Sequence, residues 1–271
     1  MAVIALNTAA TGLRALSTNL DVVANNLANT ETTAFKAQRV NFEDLMYLNV
    51  KQPGVTSSTG DTSPTGIAIG LGVRVSNTQI NLAPGSPENT GRNLDIAIEG
   101  SGFFRVQISN DVGDGTAYTR SGNFIVNDQG ELVLNVGDGY RLLPNVTIPP
   151  GVPEQNVSIS RSGQVDVILP GATDPTNIGQ IQVTQFINPQ GLRLLGGSLY
   201  QETAASGPPL ETNPQENGAG AMLMGFLESS NVDPVKELVT LIKTQRAFEY
   251  NSQTIQAADQ ALQTIGNLGR F

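Results

Sequence analysis

The sequence predicts an α+β protein: paired N- and C-terminal coiled-coil helices with a central all-β domain, barrel-like or sandwich-like, between them. Three observations point there. Apolar residues near the front recur at alternating steps of three and four, the spacing of a heptad seam. The same stepping returns at the back of the chain. Between the two seams the apolar residues fall instead into short alternating runs, set off by many of the chain's 29 glycines and 15 prolines.

The front seam consists of Leu6, Ala9, Leu13, Leu16, Leu20, Val23 and Leu27, and the opposite positions carry Asn7, Thr11, Arg14, Thr18 and Asp21. Only Gly12 weakens this amphipathic helix. The seam runs into "ANNLANTETTAFK" (24–36), rich in asparagine (Asn25, Asn26, Asn29) and threonine. Such side chains compete for backbone hydrogen bonds and make poor helix interiors, so the helix is expected to end at Leu27. Residues 1–45 form this first segment. The stretch 46–66, containing "KQPGVTSSTGDTSPTG" (51–66), is Ser/Thr/Gly/Pro-rich and reads as an extension or loop.

Residues 67–225 read as the β-rich domain. "LDIAIEG" (94–100), "GFFRVQIS" (102–109), "NFIVNDQGELVLN" (123–135) and "GQIQVTQF" (179–186) are strand-like. Asp128-Gln129-Gly130 marks a tight hairpin inside the third. "RSGNFIV" (120–126) and "RSGQVDV" (161–167) echo each other as strand entries, and a second polar stretch, "ETAASGPPLETNPQENGAGA" (202–221), precedes the last segment. That segment, 226–271, holds a helix written at Asn231-Val232-Asp233-Pro234, with Asp233 as N-cap and Pro234 in the first turn. Its seam is Leu241, Thr244, Phe248, Asn251, Ile255, Ala258, Leu262 and Ile265, in which Asn251 is a polar position of the kind that fixes register.

Composition removes most chemistry. With 271 residues the chain can bury a sizeable core, as one large domain or two modest ones. Lys+Arg 15 against Asp+Glu 24 gives −9, and no basic run exists, so nucleic acid is not an expected partner. There is no Cys and no His, hence no thiol or thiolate site and no histidine base or ligand. No Ser-x-x-Lys and no Walker A pattern occurs, and the glycine-rich runs 66–73 and 218–225 are not G-x-G-x-x-G turns.

Carboxylates remain. Asp95 and Glu99, if on one strand, would stand about 13 Å apart, beyond the ~5–9.5 Å that glycoside hydrolysis uses. Asp111 and Asp114 alternate with glycines as in a surface turn and lack a calcium-loop spacing. No catalytic residue, metal or cofactor is therefore expected. Nor is a membrane-inserted protein, since no stretch is long and apolar enough to span a bilayer. No basic n-region precedes a long apolar run, so an ordinary cleaved secretory signal is not expected either.

"LDVVANNLANTETTAFK" (20–36) resembles the N-terminal signature of the bacterial flagellar rod and hook axial proteins through Ala24, Asn25, Asn26, Ala28, Asn29, Thr32, Phe35 and Lys36. Ala34 stands where that family usually has glycine, which suggests a conformation tolerating a Cβ rather than one with φ > 0. "FLESSNVDPVKELVTLIKTQRAFEYNSQTIQAADQAL" (226–262) resembles the C-terminal signature through Glu228, Ser230, Asn231, Val232, Glu237, Gln245, Arg246, Phe248, Glu249 and Asn251. "IAIEGSGFFRV", "AYTRSGNFIVNDQGELV" and "LLPNVTIP" are similar to the family's β domain. Within the family, "FEDLMYLNVKQPG" (42–54) and "GIAIGLGVRV" resemble the distal-rod branch; hook or proximal rod is the alternative.

The resemblance implies a non-enzymatic structural subunit, a helical homopolymer that transmits torque. The paired terminal helices would form its inner layer and the β domain its outer one. It implies export through the flagellar export apparatus without a cleaved signal, and contacts with proximal rod and hook proteins and with the peptidoglycan and outer-membrane rings. The seam residues, together with Asn25, Asn26, Asn29 and Phe35, are then expected at subunit interfaces. A peptidoglycan hydrolase and a secreted β-domain adhesin are the rival classes.

Overall fold

The structure is a computed structural model that describes residues 2–54, 64–108, 115–137 and 139–268. The chain is α+β. Helix α1 spans Ala2–Ala28 and helix α2 spans Pro234–Leu268, with strands between them. They are distributed over two compact units, one of residues 1–28, 38–81 and 233–271, the other of 29–37 and 82–232.

The first unit joins both helices to two strand pairs. Strand β1 (Gln38–Asp44) pairs antiparallel with β4 (Val73–Ile80), with an irregularity between Asn41 and Phe42. Strand β2 (Tyr47–Lys51) pairs with β3 (Ile67–Gly70). Helix α1 packs against α2, β1 and β4, and the small residues Ala9 and Ala15, together with Val23, are its buried ones.

Glycine decides two close approaches here. Gly12 faces Asn251 of α2, whose Nδ2 lies 3.3 Å from where a Cβ would stand. The residue that weakens α1 as a helix thus admits the polar residue of the other seam. At Gly72 (φ 120°) the backbone runs so near α1 that a Cβ would stand 2.2 Å from Thr11 Oγ1, a hydroxyl that accepts from the Val73 amide at 3.3 Å.

The second unit carries the β body. Its largest sheet has seven strands in the order Arg193–Gly196, Leu199–Gln201, Thr116–Thr119, Phe104–Gln107, Tyr140–Leu143, Leu132–Leu134, Phe124–Val126. The hairpin expected at 128–130 is present, with Leu132 opposite Val126. A three-stranded sheet (Val157–Ile159, Gln164–Val167, Thr176–Gln180) and several strand pairs complete the unit.

The seven-stranded sheet is open, which corrects the barrel-like expectation. Closure needs the last strand to reach the first over a continuous stagger, and strands of three or four residues offer too few ladder positions for it. Burial against a shared core substitutes. Leu94, Ile96, Phe104, Phe124, Leu132, Leu134, Leu142, Val165 and Ile181 are all at 0 % exposure. Phe104 meets Phe124 edge-to-face with centroids 5.2 Å apart. Each large apolar side chain so enclosed stabilises by roughly 1.5–3 kcal/mol.

Candidate assembly segments

Helix α1 ends where its asparagines begin, and Asn26 explains how. Its Nδ2 donates to the Gln38 carbonyl at 2.7 Å and its Oδ1 accepts from the Gln38 amide at 2.9 Å. One side chain thus mimics a strand partner for the first residue of β1. Asn26 also hydrogen-bonds the Glu237 carboxylate in the first turn of α2. At 1 % exposure it is an internal fastener for three elements of the first unit.

The chain then turns twice within the second unit. The Thr32 amide and hydroxyl donate to Asn29 O (3.3 Å) and Oδ1 (3.0 Å), and the Phe35 amide donates to Thr32 O at 3.2 Å. Ala34 lies at φ 56°, fully buried, its amide donating to the Glu228 carbonyl at 2.7 Å. The departure from glycine therefore does not mark an ordinary conformation; the position keeps the left-handed backbone and carries its methyl group into the interior. That corrects the reading of Ala34 from sequence.

Next to it lies a buried ionic node. Lys36, with no side-chain exposure, donates to Glu228 Oε1 and, at 2.9 Å, to the Ala83 carbonyl. Glu228 Oε2 accepts from Arg120 Nε at 2.7 Å, and its Oε1 also accepts from the Gly85 amide at 2.8 Å. Arg120 spends its remaining donors on the carbonyls of Ile98 (2.9 Å), Gly100 (3.0 Å) and Gly102 (2.9 Å). Two cations thus share one carboxylate. Burial pushes the Lys36 ammonium below its ordinary range, against the pull of Glu228.

Asn231 continues the node: its Oδ1 accepts from the Ala37 amide at 2.7 Å and its Nδ2 donates to Ala83 O at 2.9 Å. Sequence reasoning noted Lys36, Glu228 and Asn231 as signature residues but gave them no role, and missed Arg120 altogether. The readable signal was one lysine beside Phe35 in a chain only 14 % charged, which favours a placed ion over a solvated one.

The C-terminal helix starts as written. Asp233 Oδ1 accepts from the amides of Val235 (3.1 Å) and Lys236 (3.2 Å). Thr244, on the back seam, is buried and accepts from Asn19 Nδ2 at 2.9 Å. Leu241, Asn251, Ile255 and Leu262 are half-buried, as are Leu6, Leu13, Leu16, Leu20 and Leu27 of the front seam, while Val23 is buried. Phe248 is exposed, and the side chain of Ile265 lies outside the described residues. Asn25 is exposed, and Asn29 and Phe35 are half-buried.

A second apolar row on α2, Val235, Leu238, Val239 and Ile242, is 45–69 % exposed. So is the β2–β3 ribbon at Tyr47, Leu48, Val50 and Ile67.

The carboxylates set aside from sequence have separate partners. Asp95 is buried against Arg92 at 3.3 Å, whereas Glu99 is exposed and meets Arg161 at 2.5 Å. The echoing arginines Arg120 and Arg161 thus differ, one locked in the node and the other on the surface. Asp111 and Asp114 lie outside the described residues, as do 55–63 of the extension. Among the described residues no helix is long and apolar enough to cross a membrane.

Matches to described families cover the same regions. Residues 6–36 match "Flagella basal body rod protein", 97–167 match "Flagellar hook protein FlgE/F/G D1 domain", and 224–268 match "Flagellar basal body rod FlgEFG protein C-terminal". Three relatives named "Flagellar basal-body rod protein FlgG" align almost end to end. That of Buchnera aphidicola subsp. Schizaphis graminum is 45 % identical over 95 % of this chain and 96 % of its own. That of Caulobacter vibrioides is 43 % identical over 97 % and 98 %. That of Bacillus subtilis is 39 % identical over 96 % of each.

Proposed function

The chain belongs to the flagellar basal-body rod protein family and is a structural subunit of that rod, and we propose that it polymerises into the distal segment, the part of the drive shaft that crosses the outer layers of the envelope. The observation that carries this is similarity to rod proteins over nearly the full length of both chains. Function then lies in surfaces. The paired terminal helices form the inner layer of a helical homopolymer as a coiled coil, and the β body forms the outer one.

The seam residues Leu6, Leu13, Leu16, Leu20, Val23, Leu27, Leu241, Phe248, Asn251, Ile255, Leu262 and Ile265 serve that layer. Because the seam leucines are only half-buried in one chain, neighbouring subunits supply the rest of their cover. The exposed row Val235, Leu238, Val239 and Ile242 belongs to the same contact. Asn25, Asn29 and Phe35 contribute at the surface of the turn, whereas Asn26 serves assembly by fixing the end of α1.

No catalysis is part of this reading; Asp95 and Glu99 are each held by an arginine of their own. Proximal rod and hook proteins at its ends, and the peptidoglycan and outer-membrane rings around it, are the partners. Delivery runs through the flagellar export apparatus. Mass spectrometry of purified basal bodies tests the reading directly: the chain is expected in the rod fraction, and its absence there would refute it.

A further inference from the structure

The chain passes between its two compact units four times, after residues 28, 37, 81 and 232. Three of these passages are tied to one another by residues that all belong to the second unit. Lys36, just before the second passage, donates to the Ala83 carbonyl just after the third and to Glu228 shortly before the fourth. Asn231 repeats the tie, taking the Ala37 amide at 2.7 Å, giving to Ala83 O at 2.9 Å, and sending its own amide to Phe35 O at 3.3 Å. The Gly85 amide closes the ring on Glu228 at 2.8 Å. Arg120 anchors this ring to the β body, because it grips Glu228 and three carbonyls of residues 98–102 at once.

We propose that Lys36, Glu228 and Asn231 form a clamp that makes one mechanical bundle of three of the four passages between the units. A lone strand turns freely about its own φ and ψ bonds and transmits little twist. Three strands held side by side cannot turn independently, so load arriving along one is shared by the others. Burial of the ion pairs keeps water from competing for the contacts. The clamp rests on the rod-subunit reading, since only a load-bearing subunit needs it.

The test uses the full-length chain with Asn231→Ala or Lys36→Met, the latter leaving Arg120 and Glu228 as a balanced pair. Hydrogen exchange is expected to quicken about 10-fold or more at the Ala37 amide in Asn231→Ala and at the Gly85 amide in Lys36→Met, with Phe104 and Leu132 unchanged. Cells carrying either variant should build rods and swim in dilute medium, yet lose speed more steeply than wild type as viscosity rises. Unchanged exchange at both amides overturns the clamp, as does loss of protection at Phe104 and Leu132, which would make the node a general fold requirement. Quickened exchange with normal swimming in viscous medium overturns the load-sharing role. Complete rods in cells lacking the chain would instead refute the rod reading and leave the exchange result standing.

Discussion

Lys36 donates to Glu228 across 192 positions of sequence, and the two side chains are 0 % and 3 % exposed. The pair joins the N-terminal and C-terminal signature segments inside one unit, where Arg120 supplies a second cation to the same carboxylate. Charge balance therefore makes the node asymmetric. Glu228→Gln leaves two buried cations facing a neutral amide and is expected to destabilise the second unit by about 3–5 kcal/mol. Lys36→Met leaves one balanced pair and should cost under about 1.5 kcal/mol. Denaturant titration of both variants checks this, and equal losses would show that the charges are not organised as described.

Much of this architecture was legible beforehand. The stepping of Leu6 to Leu27 located α1, Asp233-Pro234 located the start of α2, and Asp128-Gln129-Gly130 located a hairpin, because each is a local rule written in adjacent residues. Sheet closure was misjudged, since strand order depends on partners far along the chain. The node was invisible for the same reason. Lys36, Ala83, Arg120 and Glu228 lie in four separate stretches, and no spacing rule brings them together.

Asn26 gives a prediction for the first unit. Asn26→Ala removes both hydrogen bonds to Gln38 and leaves that backbone without its partner, so it should cost about 1–3 kcal/mol. Exchange in the β body should not change. Replacing Asn26 and Asn29 together is expected to impair rod assembly; normal motility in that variant would count against their role.

Ala34 offers a test of backbone strain against burial. Ala34→Gly relieves a left-handed residue, worth about 1–2 kcal/mol, but gives up a buried methyl worth about 0.8 kcal/mol. The two nearly cancel, and the net change should stay within about 1 kcal/mol. Ala34→Val places a β-branched side chain in the same conformation and should cost about 2 kcal/mol or more. Thermal unfolding separates these outcomes.

Alkaline pH gives a third handle. Burial, with the hydrogen bond from Tyr118 to Glu202 adding to it, pushes the Tyr118 phenol up to about 12, and burial likewise pushes Tyr200 up to about 12. An unfolded tyrosine ionises near 10, so between about pH 10 and 12 the unfolded chain has released protons that the folded chain still holds. Stability from these groups is complete below pH 10 and declines as pH rises through 12. Absorbance titration at alkaline pH should show a late-ionising tyrosine fraction, and Tyr118→Phe should shrink it. A single transition near 10 for all tyrosines in the folded chain would contradict the burial described.

The central claim is that this chain builds the distal part of the rod. Electron microscopy of basal bodies from cells lacking it tests that most directly. The rod should stop short of the outer rings, and a plasmid copy of the chain should restore it. Complete rods bearing hooks in the deletion strain would contradict the account.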